Sequence, residues 1–366
     1  MTDQTPVRDR RKAQLQEIPE IEYRVMPLER VEVVGTGDEK TLKAANIRIG
    51  GRWHKATERF WTSFFAKFGF SESTFRYFGH QEVFKRIVSK RGDVELRFCM
   101  ETLPNGQRNA LSVSNPTKDL IKKDSFMEIA RKYKGSDVQY GLGVVSTTYV
   151  PPSGEHEVRI GPDVFHHRYV LETPLDGYGH PSVYLSLLRQ VCLNGAVAYA
   201  PAFRQDIVLG KEPEHALVRA LESFDSDDGY SALRQRMQAA QDSPASLYEC
   251  LKLFRVLKKL REPGELVKAY EKVVGDIYGV YGVANLDGIH QKKLRLLPAK
   301  GCRVYDLVNL ASEASTHKVV GMEAKALQAW VGTTLADEYD LEGTDKRKGK
   351  EFEGTFFTPG RRTRAS

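Results

Sequence analysis

Long hydrophobic runs are missing from this chain of 366 residues. No stretch approaches the roughly 18 apolar residues of a membrane span, and the opening MTDQTPVRDRRK lacks the apolar core of a secretory leader. The expectation is a cytoplasmic protein with no membrane partner. Cysteine is sparse as well. Cys99, Cys192, Cys250 and Cys302 are widely scattered with no Cys-x-x-Cys pair, which argues against a zinc knuckle or a disulfide framework. They read as small buried hydrophobes. Catalytic signatures are absent too: there is no Gly-x-Ser-x-Gly elbow, no phosphate-binding Gly-x-x-x-x-Gly-Lys loop and no dinucleotide fingerprint. No catalytic residue, metal or cofactor is therefore assigned.

What the chain does have is positive charge in one region. The formal net charge is +7, and residues 59–134 alone hold 15 Lys and Arg against 8 Asp and Glu. The rest of the chain is balanced. Within that region Lys118, Lys122, Lys123, Arg131, Lys132 and Lys134 cluster around a predicted helix at 124–134. Such a cluster can neutralise phosphates, with salt-dependent affinity as its signature. It can equally be a solvated helix face.

Residues 1–20 are polar and basic and read as a loose arm. Runs at 30–34 and 45–49, with Gly50-Gly51 as turn chemistry, predict a hairpin. The aromatic run ERFWTSFFAKFGF predicts a helix ending at Gly69, and a second helix is expected from Ser71 to Val88. Strands are expected at 94–99 and 109–114 around Pro104-Asn105-Gly106. YGLGVVSTTYV, HEVRIG and VFHHRYVLET then read as an antiparallel meander, followed by a helix from Pro181 to Asn194-Gly195. The expected fold is α+β: a β-β-β-α unit with further helical layers and a helical C-terminal region. Four segments follow: an arm and hairpin (1–58), an α+β core (59–215), a helical region (216–342) and a basic disordered tail (343–366).

The helix containing VNLASEASTH places Val304, Leu307, Leu310, Ala311 and Ala314 on one face and Asp306, Asn309, Glu313 and His317 on the other. The second set is a polar seam of unassigned role. It is either a solvent stripe with a Glu313–His317 pair or a surface facing a groove. The seam itself holds no His-Glu-x-x-His or Glu-x-x-His motif, so a metal there lacks ligands.

In order along the chain, LSVSNPTKDLI, LRQVCLNG, YDLVNLASEASTH and LQAWVG resemble a phage- and plasmid-borne family catalogued as a domain of unknown function and often labelled phage/plasmid-like protein. The resemblance covers residues 60–336 and implies a mobile-element setting with no functional residues to carry over. The β-β-β-α unit is also similar in topology to single-strand annealing proteins of recombination. That resemblance implies Lys118, Lys122, Lys123, Arg131, Lys132 and Lys134 on phosphates, Arg159 and Arg168 lining a groove, and Tyr140 or Tyr149 stacking on bases. Three functions are expected in turn. The first is a nucleic-acid-binding accessory protein of phage or plasmid DNA metabolism, favouring single-stranded DNA and forming a homo-oligomer. The second is a structural or assembly protein of a phage particle or homo-oligomer, and the third is a metal-assisted enzyme. Lys122→Glu with Lys123→Glu is expected to abolish binding without altering stability.

Overall fold

The computed structural model describes residues 18–34, 45–71, 73–151, 157–161, 163–189, 195–197, 204–222, 227–275, 286, 288–319 and 322–336. The arm before residue 18, Cys192 and the tail after 343 lie outside the described residues. The fold is α+β with a helical C-terminal region, as expected. Two compact units divide the chain: Met1–Thr147 with Glu172–Pro181 and Ile207–Ala220, and Thr148–Leu171 with Ser182–Asp206 and Leu221–Ser366.

In the first unit, β1 (Glu20–Pro27), β2 (Glu32–Val34), β3 (Asn46–Ile49) and β4 (Arg52–Ala56) precede α1 (Glu58–Lys67) and α2 (His80–Arg91), and β5 (Glu95–Thr102) and β6 (Arg108–Ser114) follow. The six strands form one sheet in the order β1-β5-β6-β4-β3-β2. Its pairs are antiparallel except β4 with β6, which run parallel at Lys55↔Asn109 and Ala56↔Ala110. The expected hairpin is present as β2–β3, and a second one, β3–β4, turns at Gly50 and Gly51, whose φ of 57° and 81° suit a two-residue primed turn. Sequence reading missed β1, which pairs with β5 along its whole length from Glu20↔Thr102 to Pro27↔Glu95.

Helix α1 begins where the Phe60 amide donates to the Thr57 hydroxyl oxygen at 3.1 Å, while that hydroxyl donates to the Ala110 carbonyl at 2.9 Å. One threonine thus caps the helix and fixes its start to β6. Phe60, Trp61, Phe64 and Phe65 are buried against Ile47, Ile49, Leu96, Phe98 and Val113 of the sheet and Val83, Phe84 and Ile87 of α2. Helix α2 starts nine residues later than the expected Ser71, because a short 3₁₀ turn at Thr74–Arg76 intervenes. Next in the chain is α3 (Lys123–Lys132), amphipathic, with Phe126, Ile129 and Ala130 buried.

The strand-rich stretch that follows divides its residues between the two units. It comprises β7 (Ser136–Gly141), β8 (Val144–Tyr149), β9 (Glu157–Ile160), β10 (Asp163–Pro174), β11 (Ser182–Arg189), β12 (Gly195–Val197) and β13 (Arg204–Asp206). The run read as one strand, YGLGVVSTTYV, is two, broken at Leu142 and Gly143, which both take positive φ. Strands β9 and β10 pair antiparallel around Gly161. A Cβ on Gly161 would lie 1.8 Å from the Gln241 amide nitrogen, and its φ is 59°.

The helix expected from Pro181 is corrected: Ser182–Arg189 is strand β11, pairing antiparallel with β12 and β13. The β-β-β-α unit is accordingly a run of strands. Val183, Leu185 and Leu187 are buried on one face of β11, and Ser182, Tyr184 and Ser186 on the other. A strand buried on both faces loses the two-residue alternation and reads as a continuous apolar run.

Helices dominate the remainder: α4 (Pro213–Glu222), α5 (Asp227–Asp242), α6 (Leu247–Leu257), α7 (Gly264–Val274), the short α8 (Gln291–Leu294), α9 (Val304–Glu313) and α10 (Met322–Ala336). The ladder β14 (Pro244–Ser246) with β15 (Pro298–Arg303) joins them, a pairing without a sequence signal. In the second unit α9 is central, touching α5, α6, α7 and α10. Val304, Leu307, Ala311 and Ala314 of its expected apolar face are buried, and Leu310 is half-buried. Past Glu313 the helix widens into a π turn, Ala314–Lys318.

Candidate nucleic-acid interface and polar seam

The basic cluster separates into tethered and exposed cations. Lys123 at the start of α3 is half-buried and its ammonium donates to the carbonyls of Ile18 at 2.5 Å and Pro19 at 3.2 Å. It anchors the chain leading into β1. Lys118 is also half-buried and donates to the Gly179 carbonyl at 3.2 Å, and burial lowers its pKa. Its own carbonyl accepts from Arg97 at 2.6 Å. By contrast Lys122, Arg131, Lys132 and Lys134 are exposed and make no ion pair with another described residue.

These four sit at the two ends of α3, which spans about 15 Å at 1.5 Å per residue. Lys122 is the N-cap residue. At the other end the Gly135 amide donates to the Ala130 carbonyl at 2.8 Å and the Lys134 amide to the Arg131 carbonyl at 3.2 Å, with Lys134 at φ 53°. This is a left-handed helix stop built on lysine instead of glycine. Arg131 and Lys132 also complement the partial negative charge of the helix C-terminus.

Arg159 and Arg168 belong to the second unit. Arg159 is exposed on β9, whereas Arg168 is half-buried with its pKa lowered by burial, and it donates to the His167 carbonyl at 2.8 Å. The aromatics expected to stack on bases are placed otherwise. Tyr149 is buried beside Tyr169, with ring centroids 5.5 Å apart. The Tyr140 hydroxyl donates to Glu101 at 2.6 Å and accepts from the Gly143 amide at 2.9 Å. Burial beside that carboxylate pushes the Tyr140 phenol up. Among the described residues the exposed aromatic side chains of note are Trp53, Tyr77 and Phe78.

The polar seam on α9 also divides. Asp306 caps the helix, its carboxylate accepting from the Arg303 amide at 2.8 Å. Asn309 lies beside the Tyr305 hydroxyl, and that hydroxyl donates to the buried Asp163 carboxylate at 2.6 Å, where Arg189 donates at 2.6 Å to the other oxygen. Asp163, Arg189, Tyr305 and Asn309 form one chain of polar contacts across β10, β11 and α9. Burial and the Asp163 charge together raise the Tyr305 phenol, so it stays a hydrogen-bond donor. Glu313 and His317 are exposed, and the π turn between them ends the α-helical wheel on which the seam was drawn. Only Asn309 had a signal for this chain, since Tyr305 stands four residues before it on the same helix.

Two further buried arrangements escaped sequence reading, both in the first unit. Asp176, fully buried, receives two bonds from Arg59, at 2.5 and 2.9 Å, and one from the Tyr178 amide at 3.0 Å. Buried Glu101 accepts from Asn109 at 2.7 Å as well as from Tyr140. In the second unit Cys302 lies close enough to the buried Cys250 thiol that the neighbouring sulfur and burial together raise its pKa. The scattered cysteines therefore include a neighbouring pair. Among the described residues no group of three or more His, Cys, Asp or Glu could hold a metal ion, and no helix is long and apolar enough to cross a membrane. The chain matches no protein-family model, no curated protein and no solved structure.

Proposed function

We propose that this chain is a cytoplasmic accessory protein that binds single-stranded nucleic acid through the first unit, in the DNA metabolism of a phage or plasmid. The observation that carries the reading is the exposed set Lys122, Arg131, Lys132 and Lys134 at the ends of α3, held outward while Phe126, Ile129 and Ala130 anchor the helix. Cations spaced along about 15 Å match several successive phosphates of an extended strand. The reading stops at binding, because annealing drew on a β-β-β-α unit and the residues of its helix form strand β11. The test is binding of a labelled single-stranded oligonucleotide by Lys122→Glu with Lys132→Glu. Affinity falls about tenfold or more, with an unchanged melting temperature; full affinity in the folded variant contradicts the proposal.

A second reading, self-assembly, is favoured by Tyr77 and Phe78, neighbours that are 84% and 53% exposed. Light scattering of Tyr77→Ser with Phe78→Ser tests it. A smaller assembly supports it, and an unchanged mass refutes this surface.

A further inference from the structure

We infer that Trp53 is a base-stacking platform on the outward face of the β2–β3–β4 ribbon, a site for a single-stranded nucleic acid; this rests on the binding reading above and gives it an aromatic contact. The register makes the site. Arg48 lies directly across from Trp53 on β3 and Glu32 directly across from Arg48 on β2, while Asn46 faces Lys55 in the next row. Residues on these rows alternate with His54 and Ala56 of β4 and Ile47 and Ile49 of β3, which are buried, so the indole and its neighbours share the outer face. Trp53 is 46% exposed.

The Arg48 guanidinium stands 6.0 Å from the indole centroid and is oriented from behind by Glu32 at 3.3 Å. A ring held by a cross-strand cation loses little freedom when a base stacks on it. Arg48 spends part of its charge on Glu32. Lys55, exposed and two residues on from Trp53 along the same face, adds positive charge. An aromatic plane with cations at its margin suits a ligand that is itself flat and anionic at alternate positions, which is the chemistry of a single strand with its bases unpaired. A duplex offers its bases only as edges in the grooves.

The chain contains 3 tryptophans, and the other two, Trp61 and Trp330, are each only 5% exposed. Tryptophan emission on binding therefore reports chiefly on Trp53. The experiment titrates the full chain, and its Trp53→Ala variant, with a fluorescein-labelled oligothymidylate and with the same strand carrying abasic sites, reading emission, anisotropy and melting temperature. Expected are quenching of wild-type emission on binding, about tenfold weaker binding by Trp53→Ala with the same salt dependence and melting temperature, and a penalty for abasic sites in the wild type alone. Wild-type binding without quenching, together with equal affinity in the variant, overturns the stacking site and leaves the binding function standing. No binding by the wild type at low salt overturns both.

Discussion

Two adjacent lysines show how little a side chain's identity says about its work. Lys122 and Lys123 are equivalent in sequence, yet one is exposed and the other holds two backbone carbonyls ahead of β1. Lys123→Ala should lower stability by about 1.5 kcal/mol, since charged donors to carbonyls contribute somewhat more than neutral ones; Lys122→Ala should change it by less than about 0.5 kcal/mol. Urea denaturation of the two variants checks this; the Lys123 tether predicts that Lys122→Glu with Lys123→Glu costs stability as well as charge. Lys134 separates charge from fold in the other direction. Its φ of 53° strains a side chain that glycine would not have, so Lys134→Gly should gain up to about 1 kcal/mol while weakening oligonucleotide binding. The cations were legible in the sequence. Their tethers were not, because Ile18, Pro19 and Gly179 approach only through the tertiary fold.

At the scale of elements, legibility followed burial. Helix α1 announced itself through aromatic spacing because one face is buried and the other wet, whereas β11 has no wet face and its pattern carried no period. Strand β1 has the opposite problem: most of EIEYRVMP is half-buried, with charged and apolar residues mixed, and its identity comes from its partner β5. The polar clamp at the end of β10 had no sequence signal, since Arg59 and Asp176 meet only on folding. Removing the carboxylate leaves a largely buried guanidinium without its counterion, with the Tyr178 carbonyl as its remaining acceptor, so Asp176→Ala should cost about 3 kcal/mol or more in chemical denaturation. A loss under about 1 kcal/mol would show that the clamp is incidental.

The β3–β4 hairpin adds a pH dependence. Burial lowers the His54 pKa while its Nδ1 bonds the Arg52 carbonyl at 3.0 Å. The folded state thus binds fewer protons than the unfolded chain as pH falls from the ordinary imidazole value of 6.5 toward the lowered one. His54 therefore supports stability above that range, and its contribution is lost as pH drops through it. Melting temperatures of His54→Gln across pH 5 to 8 should decline less toward acid than those of the wild type; parallel curves would refute the assignment.

For the molecule as a whole, the α+β class and the helical C-terminal region could be read from composition and periodicity, while the division into two units could not. The strand-rich stretch from β7 to β13 supplies residues to both units, so no linker or shift in composition marks a boundary. The central claim, that the regional excess of positive charge is a phosphate footprint, belongs to this scale. Anisotropy of a labelled single strand, against a duplex of equal length, measures it most directly over a salt series. If Lys122, Arg131, Lys132 and Lys134 each displace a counterion, log affinity for the single strand falls against log salt with a slope of about −3, and the duplex binds more weakly. Absence of binding at low salt, or an affinity indifferent to salt, would contradict the account.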